Sequence, residues 1–305
     1  MPSREPVPPR RITPLATPTY IASGSGFPLD EAALVARVKA ALEEDRAFDD
    51  VTTISTVVST RHARARLVAR GPGRLAGVPL ALAAFRLVES HVEIRVDAED
   101  GTALATDDTV LFLTGPARGL LSAERVALNF LQRLSGVATL TGHYVAAVQG
   151  TRAHIVDTRK TTPGWRDLEK YAVRCGGGRN HRRDLSDAVL IKDNHIAACE
   201  GDVAVAVSRA RAHVPVGLLV QVECDTVAQA RAAIAAGADA LLLDNMPHAM
   251  LRECVQAAKG HCWTEASGGV TLDTVRAIAE TGVDRISVGA ITHSAPALDL
   301  ALDFE

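Results

Sequence analysis

The sequence predicts an α/β protein in which a small mixed domain precedes a larger barrel of parallel strands and helices. A hydrophobic fraction of 47% over 305 residues is enough for a large core, or for two domains of unequal size. From residue 154 onward, short apolar strands alternate with helical segments, which is typical of parallel βα units. Polar residues directly follow six of these strands. This favours a closed barrel over an open sheet, in which ligands bind at a single switch point.

The front of the chain predicts a domain of helices and strands behind a proline-rich arm. Residues 1–26 contain several prolines and no hydrophobic period, so we expect a disordered or loosely packed arm. The same prolines disfavour an amphipathic transit peptide. Apolar spacing predicts a helix over residues 29–42 with Asp30 as its N-cap, and a second helix over residues 80–89. Predicted strands cover residues 65–69, 92–96 and 110–113.

A long helix is predicted between this domain and the barrel. Ser122 is its predicted N-cap, and Gly136 and Gly142 are expected to break or bend it. The predicted barrel strands are residues 154–156, 188–191, 218–222, 240–243, 262–265 and 285–288. The predicted barrel helices include residues 226–236, 247–259 and 271–281.

Bulk charge and composition exclude several classes of function. The formal net charge is −3 and aromatic residues make up 4%, so a general nucleic-acid surface is not expected. No apolar stretch approaches the ~20 residues that a membrane-spanning helix needs. The five cysteines include no C-x-x-C pair, which predicts free thiols in a reducing compartment rather than disulfides or a zinc site. We therefore expect a cytoplasmic protein without a nucleic-acid or membrane partner.

The first candidate site is a cluster of basic residues on and after successive predicted strands. Its members are Arg159, Lys160, His181, Arg182, Arg183 and Lys192. Arginine binds carboxylate or phosphate through a bidentate fork, and lysine supplies a compact charge. The alternative is that each residue is solvated or pairs with a nearby acid such as Asp167 or Asp184. For the whole set, at the strand ends of one barrel, we favour a pocket for a small, multiply negative substrate.

Acidic residues and glycines extend this candidate site. Glu223 and Asp244 end neighbouring predicted strands, where carboxylates bind ribose hydroxyls or Mg²⁺ together with a pyrophosphate. The alternative is structural ion pairing with a residue such as Lys192. The glycine-rich segments 266–269 and 288–290 each follow a late strand and precede a helix. Their backbone N–H groups are expected to hold a phosphate.

Short motifs along the chain resemble those of the quinolinate phosphoribosyltransferase family, also called nicotinate-nucleotide pyrophosphorylase (carboxylating). The resemblance extends from about residue 30 to the C-terminus. The motifs are 124–131 (ERVALNFL), 135–139 (SGVAT), 157–164 (DTRKTTPG), 176–182 (GGGRNHR), 190–195 (LIKDNH), 222–223 (VE), 243–246 (LDNM), 265–269 (EASGG) and 286–289 (ISVG). The order and spacing of so many motifs argue against chance.

This resemblance implies a reaction and a fold. The family transfers phosphoribosyl from phosphoribosyl pyrophosphate to quinolinate with loss of carbon dioxide and pyrophosphate, which gives nicotinate mononucleotide for NAD synthesis. The implied type II phosphoribosyltransferase fold has an N-terminal α/β open sandwich and an incomplete, seven-stranded α/β barrel. We accordingly expect the sandwich at 27–136, the barrel at 137–290 and a segment at 291–305 that returns to the N-terminal domain. The implied assembly is a homodimer, or a hexamer as a trimer of dimers, with shared active sites.

The resemblance also implies roles for individual residues. Arg125 resembles the arginine that reaches the partner's active site, and Lys160 resembles the basic residue at the substrate and pyrophosphate. The residues that match carboxylate-binding positions are Arg159, His181, Arg182 and Lys192. Glu223 and Asp244 match acids at the ribose and Mg²⁺, with metal contact either direct or through substrate, and join Lys160 as the implied catalytic set. The 5′-phosphate loop is matched by Ser267, Gly268, Gly289 and His293.

Three other functions stay open on the sequence alone. A related phosphoribosyltransferase on the same scaffold would act on another pyridine or azole acid. A barrel aldolase would use Lys192 as a Schiff base, although the phosphate-binding glycines fit it poorly. A non-catalytic paralogue would bind quinolinate without turnover. We expect no covalent nucleophile, and Arg183 has no assigned role.

Overall fold

The structure is a computed structural model that describes residues 20–21 and 26–305. The prediction of a loosely packed arm over residues 1–26 therefore lies outside the described residues, apart from Tyr20, Ile21 and Gly26. Tyr20 is buried, and the backbone N–H groups of Tyr20 and Ile21 donate to Glu31 Oε1 over 2.9 and 3.1 Å.

The N-terminal part consists of helices packed on a four-stranded antiparallel sheet. Its elements are α1 (Glu31–Glu44), a 3₁₀ turn (Ala47–Asp49), α2 (Val51–Thr56), β1 (His62–Ala69), β2 (Gly73–Arg74), α3 (Val78–Val88), β3 (Glu93–Val96), β4 (Ala103–Leu104) and β5 (Thr109–Pro116). The sheet order is β12-β1-β5-β3, in which β12 (Leu300–Phe304) is the last strand of the chain, and β2 and β4 form a separate ribbon. The predicted N-cap of α1 is confirmed, because Asp30 Oδ1 accepts from Ala33 N over 2.8 Å.

Helix α4 (Ala117–Ala147) begins earlier than the sequence predicts. The chain passes from β5 directly into this 31-residue helix, so Ser122 lies inside it and the prediction of Ser122 as N-cap is wrong. The Ser122 hydroxyl instead donates to Asp50 Oδ2 over 2.9 Å, and Asp50 Oδ1 caps α2 at Thr53 N over 3.0 Å. The serine is therefore used in a tertiary contact rather than at a helix terminus.

Of the prediction that Gly136 and Gly142 break or bend α4, the break is wrong, because the helix is continuous through both. A Cβ on Gly136 would lie 2.0 Å from the Pro296 carbonyl oxygen, so this glycine lets the C-terminal segment cross the helix in direct contact. A Cβ on Gly142 would lie 3.3 Å from Arg74 Nε. Close approach of neighbouring chain, and not helix termination, explains these glycines.

The rest of the chain confirms the predicted alternation of strands and helices. Its elements are β6 (His154–Val156), α5 (Arg166–Cys175), β7 (Val189–Ile191), α6 (Asp193–Ala197), α7 (Val203–His213), β8 (Val220–Cys224), α8 (Val227–Ala235), β9 (Ala240–Asp244), α9 (His248–Ala258), β10 (Trp263–Ser267), α10 (Leu272–Ala279), β11 (Arg285–Ser287) and α11 (Ala290–His293). These six strands are parallel and run in the order β6-β11-β10-β9-β8-β7. Their apolar side chains join one large buried core.

A single residue extends this curved sheet beyond β6. Arg179 forms an isolated parallel bridge with Val156, and its N–H donates to the Ile155 carbonyl over 2.9 Å. This segment stands in the position of a seventh strand, and the Arg182 guanidinium reaches from it to the Ala188 carbonyl beside β7 over 2.9 Å. Between this segment and β7, a side-chain hydrogen bond therefore stands in place of a continuous ladder of backbone hydrogen bonds.

Within the described ranges, no helix combines the length and the apolar character needed to cross a membrane.

Candidate functional site

A cavity of about 430 Å³ opens at the carboxyl ends of the parallel strands. This volume suits a small-molecule ligand, and the strand ends are where barrel enzymes hold their active sites. The structure brings eight of the predicted site residues together in its lining: Arg159, Lys160, His181, Arg182, Lys192, Glu223, Asp244 and Ser267. Further lining residues are Thr158, Leu190, Leu242, Glu265 and Ser287.

Two arginines of this pocket, Arg159 and Arg182, form no ion pair among the described residues. Arg159 Nε is buried and has no hydrogen-bond partner among the described residues. Arg182 donates one hydrogen bond to a backbone carbonyl, and no acidic side chain bonds to it in the described chain. Burial lowers the pKa of the Arg182 guanidinium, the nearby charge of Arg159 lowers it further, and the charge of Asp187 only partly opposes this. Two partly buried cations side by side favour binding of an anion between them.

A buried ion pair beneath the pocket holds the segment that carries His181 and Arg182. Asp157 directly follows β6, is fully buried and bonds to Lys170 Nζ, which also donates to the His181 carbonyl over 3.0 Å. Asp157 accepts from the backbone N–H of His181 over 2.8 Å and from Asn180 Nδ2 over 2.6 Å. Asp157 therefore works as an anchor for the basic loop, and Lys170 is a supporting residue that the sequence did not single out.

The ring of His181 points toward the floor of the pocket. Its Nδ1 accepts from Arg182 N over 2.8 Å, so in the neutral ring the proton is assigned to Nε2. That nitrogen lies 3.2 Å from Gln221 Oε1 and 3.5 Å from Glu265 Oε2, and Gln221 Nε2 donates to Glu265 Oε2 over 3.2 Å. Gln221 and Glu265 are absent from the predicted site. The available signal was a polar residue in β8 and another in β10, each standing among buried neighbours.

The pocket concentrates unsatisfied polar atoms. Four buried side-chain atoms lack a hydrogen-bond partner in the described part of the chain, and two of them, Arg159 Nε and Glu265 Oε1, belong to residues that line this cavity. Buried polar groups are normally paired, so such atoms need an explanation. Here a bound ligand or water would supply the missing partners.

The two predicted acids lie on paired neighbouring strands, β8 and β9. Glu223 bonds to Lys192 Nζ, so the ion pairing that the sequence left open as an alternative does occur. Asp244 accepts from Asn245 Nδ2 over 2.9 Å and stays partly exposed. The acids therefore differ: Glu223 shares its charge with a lysine, whereas Asp244 bonds only to an uncharged amide in the described residues.

The predicted glycines make room for functional side chains. A Cβ on Gly268, whose φ is +89°, would lie 2.2 Å from Asn245 Oδ1. A Cβ on Gly289 would lie 3.2 Å from Lys160 Cδ and 3.1 Å from His293 Nε2. Gly289 and His293 thus meet Lys160 at the edge of the pocket.

Two basic residues singled out from the sequence, Arg125 and Arg183, have other surroundings. Arg125 is exposed and lines a separate cavity on the N-terminal domain with Arg46, Asp50 and Ser122. Arg183 pairs with Asp167 at 2.7 Å and with Asp184 at 3.0 Å, so the ion-pairing alternative is correct for it.

His195 does not line the pocket. Its Nδ1 accepts from Lys192 N over 3.0 Å, which stabilises the turn after β7. His195 therefore holds the backbone of a pocket residue in place.

The fold and the pocket together define an α/β-barrel enzyme for a small, multiply negative substrate. Comparison with known proteins agrees with this class. Residues 137–303 match the family model for the quinolinate phosphoribosyl transferase C-terminal domain, and residues 50–135 match that for the N-terminal domain. The chain belongs to the quinolinate phosphoribosyltransferase family, pentosyltransferases that form nicotinate mononucleotide from quinolinate with loss of carbon dioxide in NAD biosynthesis.

Individual relatives cover almost the whole chain. It is 44% identical to a probable nicotinate-nucleotide pyrophosphorylase (carboxylating) of Bacillus subtilis, over 85% of this chain and 89% of the relative. It is also 44% identical to the nicotinate-nucleotide pyrophosphorylase of Mycobacterium leprae, over 87% and 95%. The structure of NadC from Streptococcus pyogenes superposes with a TM-score of 0.86 at 40% identity, covering 91% of this chain and 99% of that one. The type II phosphoribosyltransferase fold predicted from the resemblance is confirmed.

Proposed function

We propose that this chain transfers phosphoribosyl from phosphoribosyl pyrophosphate to quinolinate and forms nicotinate mononucleotide, carbon dioxide and pyrophosphate. The observation that carries the proposal is the pair of partly buried arginines, Arg159 and Arg182, in a pocket at the strand ends. Quinolinate has two neighbouring carboxylates, and guanidinium groups bind carboxylates in a bidentate manner. A mono-acid such as nicotinate would leave part of this charge unmatched.

Different residues around the arginines bind different parts of the two substrates. Arg159 and Arg182 hold the quinolinate carboxylates, with His181 and Lys192 beside them. Lys160 lies next to Gly289, where it meets the pyrophosphate. The 5′-phosphate binds to the backbone around Ser267, Gly268 and Gly289, with His293 at its side. Glu223 and Asp244 accept hydrogen bonds from the ribose hydroxyls.

The reaction depends on the positions in which the two substrates are held and on the positive charge beside the leaving group. The ring nitrogen of quinolinate attacks C1 of the sugar while the bond from C1 to pyrophosphate breaks, and the charge of Lys160 stabilises the departing oxygen. The ring nitrogen is then positive. The bond to the adjacent carboxylate breaks, carbon dioxide leaves, and the electron pair stays on the ring carbon next to that nitrogen. A proton from water completes nicotinate mononucleotide, and no side chain forms a covalent bond to substrate.

Mg²⁺ fits the acidic side of this pocket as a cofactor held largely by substrate. Among the described residues, no group of three or more His, Cys, Asp or Glu side chains could hold a metal alone. Mg²⁺ usually takes one or two carboxylates together with substrate phosphates, and Glu223 and Asp244 on adjacent strands offer such a pair. When bound, it would neutralise charge on the leaving pyrophosphate.

We further infer that two copies share their active sites, as a homodimer or as a trimer of dimers. Arg125 is exposed on helix α4 and does not line the pocket of its own chain. Exposed apolar side chains lie in the adjoining 3₁₀ turn and α2: Phe48 at 52% exposure, Val51 at 76% and Ile54 at 51%. An apolar patch beside an arginine suits a subunit interface that delivers this arginine to the other copy.

Release of labelled carbon dioxide tests the reaction. The purified chain is given quinolinate labelled in the carboxylate next to the ring nitrogen, with phosphoribosyl pyrophosphate and Mg²⁺. We expect release that needs all three components, and no nucleotide from nicotinate. Turnover of nicotinate at a similar rate would indicate another phosphoribosyltransferase. Tight quinolinate binding without release would indicate a non-catalytic paralogue, and a borohydride-trapped adduct at Lys192 would indicate an aldolase.

Mixing two inactive variants tests the shared site. In a mixed dimer of Arg125→Ala and Lys160→Ala chains, one of the two sites contains neither substitution, so we expect up to about one quarter of wild-type activity in a statistical mixture. Each variant alone supplies the control. Absence of recovery, although tagged chains demonstrably co-purify, would mean that each chain contains a complete site.

We also infer a cytoplasmic location. All five cysteines lie in the described residues and are free, which suits a reducing compartment. Relatives whose names place them in chloroplasts or mitochondria make the location worth measuring. Fractionation of the native cells, with activity as readout, separates these outcomes.

A further inference from the structure

The loop after β6 is held by hydrogen bonds at Lys160 itself and at Thr162, two residues later. The Thr292 hydroxyl, on α11, donates to the Lys160 carbonyl over 2.7 Å. At Thr162, Glu169 accepts from the backbone N–H over 3.0 Å and from the hydroxyl over 2.8 Å. Thr292 and Glu169 are both fully buried. The contacts leave the side chain of Lys160 exposed and restrain the backbone that carries it.

Thr292 and Glu169, the two residues that hold the loop, both hydrogen-bond to the same guanidinium. Arg133, on helix α4, bonds through Nη2 to Glu169 Oε1 over 2.6 Å and to the Thr292 carbonyl. Its Nη1 donates to the Ala295 carbonyl over 3.1 Å. A displacement of Arg133 would therefore affect Thr292 and Glu169 together.

The same helix supports the end of the loop. The ring of Phe130, three residues before Arg133, stacks on Trp165 with centroids 5.4 Å apart. Trp165 N donates to the Thr162 carbonyl over 3.0 Å, so the stacked ring is tied back to the fastened residue. Helix α4 thus fixes the loop through one polar and one aromatic contact.

We propose that Arg133, Glu169 and Thr292, here called the Lys160 clamp, are positioning residues for the reaction. The inference rests on the proposed function, because it takes Lys160 as the group that meets the pyrophosphate. The Lys160 side chain lies close to Gly289, the first residue before α11, and Thr292 belongs to that same short helix. Through Thr292, the clamp therefore fixes the lysine and the phosphate-binding glycine relative to each other.

This arrangement has a functional consequence. A pyrophosphate held by Lys160 and a 5′-phosphate held around Gly289 belong to one substrate molecule, so the distance between their binding groups sets how well that molecule fits. Because misplacement of a binding group by about 1 Å can cost two orders of magnitude in rate, a clamp between these groups matters for catalysis. The clamp touches neither phosphate and acts only through Lys160 and α11.

Thr292→Val tests the clamp without leaving a cavity, because valine has nearly the shape of threonine. We expect the KM for phosphoribosyl pyrophosphate to rise about tenfold, with the KM for quinolinate changing less than about threefold. Thr292→Ser keeps the hydroxyl and should stay within about threefold of wild type in both constants. Titration calorimetry with phosphoribosyl pyrophosphate measures the difference in affinity between the Thr292→Val and Thr292→Ser chains without turnover.

Thr281→Val is the matched control. Thr281 is 6% exposed and its hydroxyl donates to the Ile278 carbonyl over 2.7 Å, outside the pocket lining. We expect this variant to lower the melting temperature about as much as Thr292→Val while leaving both KM values unchanged. Equal KM values in Thr292→Val and Thr281→Val would overturn the clamp, and so would a Thr292→Ser chain as impaired as Thr292→Val. A wild-type chain that binds phosphoribosyl pyrophosphate but releases no carbon dioxide would refute the proposed function, while the calorimetric contrast would still decide on the clamp.

Discussion

The two ends of the barrel both carry a cavity, but they differ in how their charges are satisfied. The cavity at the amino ends of the strands measures about 520 Å³ and is lined by Arg152, Trp263 and Asp284, among others. There Arg152 pairs with Asp284, and Arg285 lies over the Trp263 ring with its central carbon 4.1 Å from the ring centroid. The smaller cavity at the carboxyl ends contains Arg159, whose Nε has no partner among the described residues.

This difference indicates that buried charge without a partner, and not volume, locates the site. At the amino ends each of the two arginines already has a partner within the chain, so an anion would have to displace it. At the carboxyl ends Arg159 and Arg182 lie close enough for their charges to oppose each other, which an anion would relieve. The carboxyl end is therefore the end at which a change of charge should alter activity more than stability.

The largest effect is expected for Arg159→Ala. Loss of a charge-assisted hydrogen bond costs about 1.5–3 kcal/mol, so kcat/KM for quinolinate should fall on the order of a hundredfold. The melting temperature should stay constant or rise, because the change removes an unpartnered buried Nε and a like charge beside Arg182. Steady-state kinetics and thermal unfolding on the same preparation measure both quantities. A melting temperature that falls in step with activity would mean that Arg159 is a structural residue.

The carboxyl-end pocket was largely predictable because its polar residues interrupt a regular apolar pattern. Lys192 and Asp244 each stand at the end of an apolar strand, and parallel strands bring their carboxyl ends to one edge. Glu265 was not predicted as part of the site, although it too stands near the carboxyl end of a strand, β10. Its role depends on its facing His181 and Gln221, which are 84 and 44 residues away in sequence. Contacts between residues so far apart cannot be predicted from the local pattern of residue types.

The errors in helix α4 have the same physical origin. Ser122 has the residue type of an N-cap and Gly136 that of a helix breaker. In the folded chain Ser122 bonds to Asp50, and Gly136 faces the Pro296 carbonyl. Both residues make contacts with distant parts of the chain, so propensity alone assigned them the wrong local role.

A smaller effect is expected for Gly289→Ala, which changes the space beside Lys160 in the carboxyl-end pocket and removes no charge. The φ of Gly289 is −66°, so alanine fits the backbone, but its Cβ would lie 3.2 Å from Lys160 Cδ. Since the lysine can shift, we expect kcat/KM for phosphoribosyl pyrophosphate to fall about fivefold, less than a lost charged hydrogen bond would cost.

Gly71→Ala is the control for this change, because a Cβ there would meet nothing within 4 Å and its φ is not positive. It should leave kinetics and stability unchanged. If Gly289→Ala behaved in the same way, the space beside Lys160 would be unimportant for activity.

The smallest effect is expected for Arg152→Ala at the amino end of the barrel. The Arg152 side chain is 61% exposed, and such a surface ion pair contributes about 1 kcal/mol or less to the free energy of unfolding. Asp284 keeps its hydrogen bonds from Thr264 N and the Thr264 hydroxyl, at 2.8 and 3.0 Å, so it is not left unpaired. We therefore expect a slight loss of stability in urea unfolding and wild-type kinetics for both substrates. The same substitution type at the two ends would then separate function from stability: Arg159→Ala lowers activity alone, and Arg152→Ala lowers stability alone. A loss of activity in Arg152→Ala with the fold intact would show that the amino-end cavity also takes part in the reaction, and charge satisfaction would no longer distinguish the two ends.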